Sequence, residues 1–308
     1  MKNLCLVCWL LMLSMGSSHA QEAKPPIYYY NPDWSPDASS IVFESTRDGK
    51  YAIYTIRVDG TGLRKLSSGE VDDEQPRWSP DGRQIVFISS RDGHLQLYLM
   101  DADGSHQRRL TQSADIDYQP DFSPKGDVVV FQSRTERASV VHDIYIVRTD
   151  GSGRTRLTDQ RANYGAPRWS PDGKKILFER NPIIKRYYKE MSKAELAQVH
   201  SSQELYVMNR DGTGIRNLTN NSGSDCCATW SKDGKTIYFV SEREGAPHVY
   251  LMRADGSNVR KVADGSVVSK PTISRDRKYF AYTKEVNGKW GLYIYTIKTG
   301  RERLLIGG

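Results

Sequence analysis

Residues 76–82 read PRWSPDG, and residues 167–173 read PRWSPDG again, ninety-one positions later. Repetition over seven residues points to one duplication or to many copies of one unit, and the flanking sequence decides between them. Its aromatic recurs as Trp34, Trp78, Phe122, Trp169, Trp230 and, in weakest form, Ile273, at spacings of 43 to 61 residues. Each anchor is followed by serine and mostly by a turn: SPDA, SPDG, SPKG, SPDG, SKDG, SRDR. Proline presets φ at the first central position, aspartate suits the second, and glycine takes the positive φ that follows.

After the turn comes an apolar, β-rich stretch (IVFES, QIVFIS, VVVFQS, KILFER, TIYFVS, YFAYTK), then a second one (AIYTIRV, LQLYLMDA, DIYIVRT, ELYVMNR, HVYLMRA, GLYIYTI). A second turn follows at Asp59-Gly60, Asp103-Gly104, Asp150-Gly151, Asp211-Gly212, Asp255-Gly256 and Thr299-Gly300, and a short basic strand closes each unit. Four short strands per repeat, joined by tight reversals, describe propeller blades rather than the shorter coils of a β-helix. The prediction is an all-β, six-bladed β-propeller of four-stranded antiparallel blades, at about 31–75, 76–119, 120–166, 167–227, 228–270 and 271–308. Each blade exposes two apolar faces, so closing six into a ring buries them all. The recurrent aromatics are expected in that core, since such side chains dominate buried area.

The chain opens with Lys2, an apolar run from Leu4 to Met15 and a small-residue end at Ser18-His19-Ala20. This is the layout of a secretory signal peptide spanning 1–20. The apolar run is too short to span a bilayer. Residues 21–30 then form an N-terminal extension ahead of a propeller at 31–308. The expected product is exported, without a membrane span, and monomeric. Only Cys226 and Cys227 lie beyond the leader, so no disulfide framework is expected. These two leave a vicinal bridge and two free thiols equally open, because adjacent Cα atoms about 3.8 Å apart sit below the usual disulfide range.

Spacing locates the working face. From anchor to the tyrosine of the third strand the count is 20 in blades one, two, five and six, 23 in blade three and 37 in blade four. The extra length therefore falls between second and third strands. That connection shares one face of the ring with the link into the next blade, and binding residues favour such loops. The blade-four insertion carries Lys185, Arg186, Tyr187 and Tyr188, then a capping box at Ser192 and Glu195 before a short helix to about His200.

Charge segregates too. The net charge of +7 and pI near 9.1 trace largely to Arg64, Lys65, Arg108, Arg109, Arg154, Arg156, Arg216, Arg260, Lys261, Arg301 and Arg303 on fourth strands. On edge strands such charges discourage edge-to-edge pairing, so nucleic acid is not implied. The links between blades are acidic: Glu70, Asp72, Asp73, Glu74, Asp115, Asp117 and Asp225. With Tyr118 and Tyr164 they form the expected partner-binding face, an acidic mouth suited to a basic or cation-bearing partner. Converging carboxylates can hold a hard cation such as Ca²⁺, although no EF-hand spacing supports one and no metal ligand set is read here.

No catalytic arrangement stands out: G-x-S-x-G, H-E-x-x-H and a phosphate-cradling loop are all missing. His94, His106, His142, His200 and His248 scatter over the blades. The repeated P-x-W-S-P-D-G, the I-x-F-x-S strand and the Y-x-x-x-x-D-G-S/T…R-x-L-T ending resemble the TolB-like (PD40, WD40-like) propeller repeat, from about 31 to 305. The resemblance is to the C-terminal propeller of that family without its N-terminal α/β domain. It implies a non-enzymatic periplasmic binding scaffold of the cell envelope, meeting a periplasmic or outer-membrane protein such as a Pal-like lipoprotein. The same motif accompanies other functions, leaving a carbohydrate-active propeller of the oligogalacturonate lyase kind, or a small-ligand or envelope-stress sensor, as alternatives.

Overall fold

The computed structural model describes residues 25–134, 141–159, 161–181, 192, 203–263, 272–274 and 278–307. The expected leader at 1–20, the tetrad Lys185, Arg186, Tyr187 and Tyr188, and the helix expected to follow it fall outside these residues. Among the described residues no helix is long and apolar enough to cross a membrane.

Six four-stranded antiparallel sheets are formed, each pairing its strands in chain order. The first strands are Tyr29–Trp34, Asp73–Trp78, Ile116–Phe122, Asn163–Trp169, Asp225–Trp230 and Thr272–Ile273. Tyr29 and Tyr30, read above as extension, thus open blade one. Likewise Asp73, Glu74 and Gln75 lie on the first strand of blade two. Second strands run Ser40–Ser45, Gln84–Ser89, Val128–Arg134, Lys175–Asn181, Thr236–Ser241 and Tyr279–Val286. Third strands run Ala52–Arg57, Gln96–Asp101, Asp143–Arg148, Glu204–Asn209, His248–Arg253 and Lys289–Thr296. Five of the fourth strands are short, from Arg64–Lys65 to Arg260–Ala263, and the last is Arg301–Gly307.

The period of two along the second strand explains the ring. Side chains alternate between sheet faces, so Ile85 and Phe87 pack with Val42, Ile53 and Leu66 of blade one, while Val86 and Ile88 pack with Phe122, Val129 and Phe131 of blade three. Every junction between neighbouring blades has such a cluster. The last one joins Trp34, Ile41 and Phe43 of blade one to Ala281, Trp290, Leu292 and Ile294 of blade six, closing the circle. Trp34 Nε1 also donates to the Thr272 carbonyl of blade six at 3.2 Å. Trp34, Phe122 and Trp169 are buried; Trp78 and Trp230 are half-buried and pack against the same inter-blade clusters.

Polar contacts repeat with the fold. In the first turn of blade two, Ser79 Oγ donates to Asp81 at 2.6 Å and accepts from Gln84 N–H at 2.9 Å. The same serine–aspartate lock occurs in blades one, four and five. At the rim, fourth-strand arginines clasp the second turn of the next blade: Arg64 donates to Asp103 O at 2.7 Å, Arg108 to Thr149 O at 2.7 Å and Arg216 to Asp255 O at 2.9 Å. Arg303 donates to Val58 O, so this clasp also spans the closing junction. These turns sit so close to the preceding blade that a Cβ on Gly212 would stand 2.5 Å from Leu157 O.

Candidate functional site

The first strands line the axis, and those of blades one to five each carry a bulge three residues before the anchor. The register shifts there, and the bulge residues Asn31, Gln75, Gln119, Ala166 and Cys227 all have φ between 46° and 59°. The motif prolines Pro32, Pro76, Pro120 and Pro167 come next. Proline cannot donate to the ladder and is tolerated at a bulge. The bulge frees the preceding N–H, and the neighbouring blade uses it. Gln119 N–H donates to Gln75 Oε1 at 2.7 Å and Ala166 N–H to Gln119 Oε1 at 2.6 Å. Where the bulge side chain of the preceding blade cannot serve, a second-strand glutamate does: Gln75 N–H donates to Glu44, and Cys227 N–H to Glu179 Oε1 at 2.6 Å.

One residue before each anchor lies a second ring: Asp33, Arg77, Asp121, Arg168, Thr229 and Thr272. They border an axial cavity of about 70 Å³, together with Cys227. The carboxylates of Asp33 and Asp121 each accept from the anchor N–H of the next blade, Trp78 at 2.9 Å and Trp169 at 2.8 Å. Burial pushes Asp121 up to about 6 against the pull of Arg168 and Arg77. Burial also brings Arg77 down to about 10, with Arg168 adding to the effect.

The mouth lies where the first strands begin, five residues before each anchor. That position is Tyr29, Asp73, Asp117, Tyr164 and Asp225 in blades one to five. Asp73, Asp117 and Asp225 are each fully buried. Asp73 pairs with Arg91 at 3.1 Å, Asp117 with Arg154 at 3.3 Å, and Asp225 with Arg243 at 3.3 Å. Each guanidinium then lies over the third-strand tyrosine of its blade: Arg91 over Tyr98 at 4.6 Å, Arg154 over Tyr145 at 4.2 Å, Arg243 over Tyr250 at 4.8 Å. Those tyrosines stand across from second-strand phenylalanines Phe87, Phe131 and Phe239, at 5.8 to 5.9 Å between rings. Where the position is tyrosine, the ring takes the place of the ion pair: Tyr29 meets Phe43 and Tyr164 meets Phe178. Tyr164 OH donates to Asp159 at 2.9 Å.

The remaining predicted residues reach the mouth differently. Asp115 joins the Arg154 pair at 2.8 Å. Asp72 accepts from Tyr51 N–H at 3.0 Å and is half-buried. Tyr118 is half-buried, edge-on to His142 at 5.7 Å. Burial, with Arg134 nearby, brings His142 down to about 4. Glu74 sits near Glu44, Asp72 and Asp73, and burial plus those like charges push it up to about 8. The acidic mouth is therefore a set of paired carboxylates, with residual negative charge at the junction of blades one and two. Of the arginines that pair them, the sequence marks Arg154 only as an edge-strand charge and does not single out Arg91 or Arg243. Arg91 and Arg243 each stand two residues after the serine ending a second strand, a recurrence that could have flagged them, but Arg154 arrives from a different loop.

Fold and site together define a propeller whose axial strands are cross-linked by bulge amides and whose open mouth carries Asp–Arg–Tyr stacks. The sequence profile described as "PD40: TolB beta propeller domain" matches residues 9–143 and 190–308, and the chain belongs to that family. The Tol-Pal system protein TolB of Helicobacter hepaticus is 32% identical over 103 residues, which is 32% of this chain and 24% of that protein. A protein TolB homolog of Chlorobaculum tepidum is 38% identical over 68 residues, 22% of this chain and 16% of that one. These matches thus span a quarter or less of the relatives' own length. Among solved structures, TolB from Acinetobacter baumannii aligns with a TM-score of 0.68 at 21% identity, over 90% of this chain and 62% of that one. An oligogalacturonate lyase in complex with manganese aligns with a TM-score of 0.62 at 16% identity, over 90% of this chain and 76% of that one. Both likenesses are of fold.

Proposed function

We propose that the protein is a non-enzymatic periplasmic scaffold of the TolB kind, binding a protein partner of the cell envelope across the mouth. One observation carries this reading. On the face away from the mouth, the first turns of blades one, two, four and five are locked by their own serine–aspartate pairs, and rim turns are clasped by the preceding blade. The strand ends joined by the connections of unequal length, Arg134 with Asp143 and Asn181 with Glu204, lie on the other face, where Asp72, Glu74, Asp115 and Tyr118 border the opening. A rigid ring presenting one adaptable face suits recognition of a macromolecule better than turnover of a small one. The axial cavity, about 70 Å³, is small beside the roughly 300–1,000 Å³ of ligand pockets.

The relative named for the Tol-Pal system suggests the partner class: a periplasmic or outer-membrane protein such as a Pal-like lipoprotein, with basic groups opposite Asp72. The loop carrying Lys185, Arg186, Tyr187 and Tyr188 would complete the face. Envelope extract passed over immobilised wild type and over an Asp72→Lys/Tyr118→Ala variant tests the reading. A lipoprotein retained by the wild type and lost by the variant supports it; equal recovery of the same proteins by both overturns it.

A further inference from the structure

Blade five departs from its siblings at the bulge. Where the others place Asn31, Gln75, Gln119 and Ala166, it places Cys227, directly after Cys226. In a regular strand successive side chains point to opposite faces, which would hold two neighbouring thiols apart. Here Cys227 has φ 59° and the register shifts between Cys226 and Thr229. The two sulfurs consequently meet, Sγ to Sγ, at 3.2 Å. Both are thiols in this structure.

Two further features suit the pair to chemistry. Cys226 is buried and held in the ladder opposite Val240, whereas Cys227 is half-buried and borders the axial cavity. One sulfur is therefore reachable and the other stands directly behind it. Cys227 has no ladder partner, and its N–H is held by Glu179 Oε1 instead. Its backbone can therefore turn without unzipping the sheet.

We propose that Cys226 and Cys227 form a two-electron redox site in the channel wall, closing to a vicinal disulfide in exchange with a small disulfide such as oxidised glutathione. The Cys227 thiolate attacks one glutathione sulfur, and the first glutathione leaves as a thiolate that takes up the Cys227 proton. The Cys226 thiolate then attacks Cys227 Sγ, forming the intramolecular bond and expelling the second glutathione, which takes up the Cys226 proton. Two electrons and two protons thus pass from the pair to the glutathione disulfide. Adjacent Cα atoms about 3.8 Å apart fall below the usual span of about 4.4–6.8 Å, so the closed ring is strained. Strained disulfides are the readily reduced, exchangeable ones. The site is therefore a reversible switch and not a structural staple.

The test uses the full chain, reduced, freed of reductant and incubated with excess oxidised glutathione. Free thiols are then capped and the peptide holding both cysteines is weighed, which separates it from Cys5 and Cys8. The expected peptide is uncapped and lighter by two hydrogens, about 2 Da, and excess reduced glutathione restores both thiols. Cys226→Ser, which lacks the resolving sulfur, should instead accumulate a glutathione adduct on Cys227. Retention of both thiols by the wild type, two stable adducts, or a bond to a second chain would each overturn the proposal. So would a closed pair that resists a large excess of reduced glutathione.

Discussion

Replacing Gly212 by alanine separates two reasons for a glycine in the second turn. Its φ is +86°, and a Cβ there would lie 2.5 Å from Leu157 O and 3.3 Å from the Leu157 carbonyl carbon and Cα of blade three. That obstacle is backbone, and Leu157 N–H is itself fixed to Ile144 O at 2.8 Å, so no rotamer change relieves it. Gly93 has nearly the same φ, +92°, with nothing within 4 Å of its would-be Cβ. Left-handed backbone costs alanine about 1–2 kcal/mol at either site. Overpacking adds about 1–3 kcal/mol at Gly212 alone. With a urea slope of about 3 kcal/mol/M, Gly93→Ala lowers the unfolding midpoint by roughly 0.5 M and Gly212→Ala by roughly 1 M or more. Equal shifts for the two variants would show that the turn, and not the approach of the neighbouring blade, demands glycine, and the account of the blade junctions would fail.

Further outcomes follow from the same contacts. Arg154→Ala leaves Asp117 buried without its cation and should cost about 3 kcal/mol, against under about 1 kcal/mol for Asp115→Ala, both read from urea unfolding. The raised pKa of Glu74 has a definite sign: the folded state binds more protons than the unfolded one between the ordinary glutamate range and about 8. Its stabilising contribution is whole below that range and declines as pH rises to about 8; in Glu74→Gln a Tm-versus-pH profile should lose that part of its downward slope. Arg303→Ala removes the rim clasp across the closing junction and should lower stability by about 1 kcal/mol. Its amide exchange should quicken first in blades one and six, and uniform quickening around the ring would count against closure being locally held.

The blade count, the strand order within a blade and the turn positions were legible in the linear sequence. The SPDG phrase dictates its own geometry through proline, glycine and a serine–aspartate bond two residues apart, and an unbroken apolar run such as Ile85-Val86-Phe87-Ile88 marks a strand buried on both faces. Such information is local, and each copy repeats it. The opening of each first strand was less legible, because the bulge at Gln75 or Gln119 breaks the alternation that would have shown Asp73 and Asp117 to be on the strand. The character of the mouth was decided only by tertiary structure. Asp73, Asp117 and Asp225 read as free acidic residues until Arg91, Arg154 and Arg243 came within 3.1 to 3.3 Å. Arg154 lies 37 residues from Asp117 in the chain. Whether a buried carboxylate is a charge offered to a partner or one half of an internal pair depends on which cation the ring brings beside it, and spacing along the chain does not encode that distance.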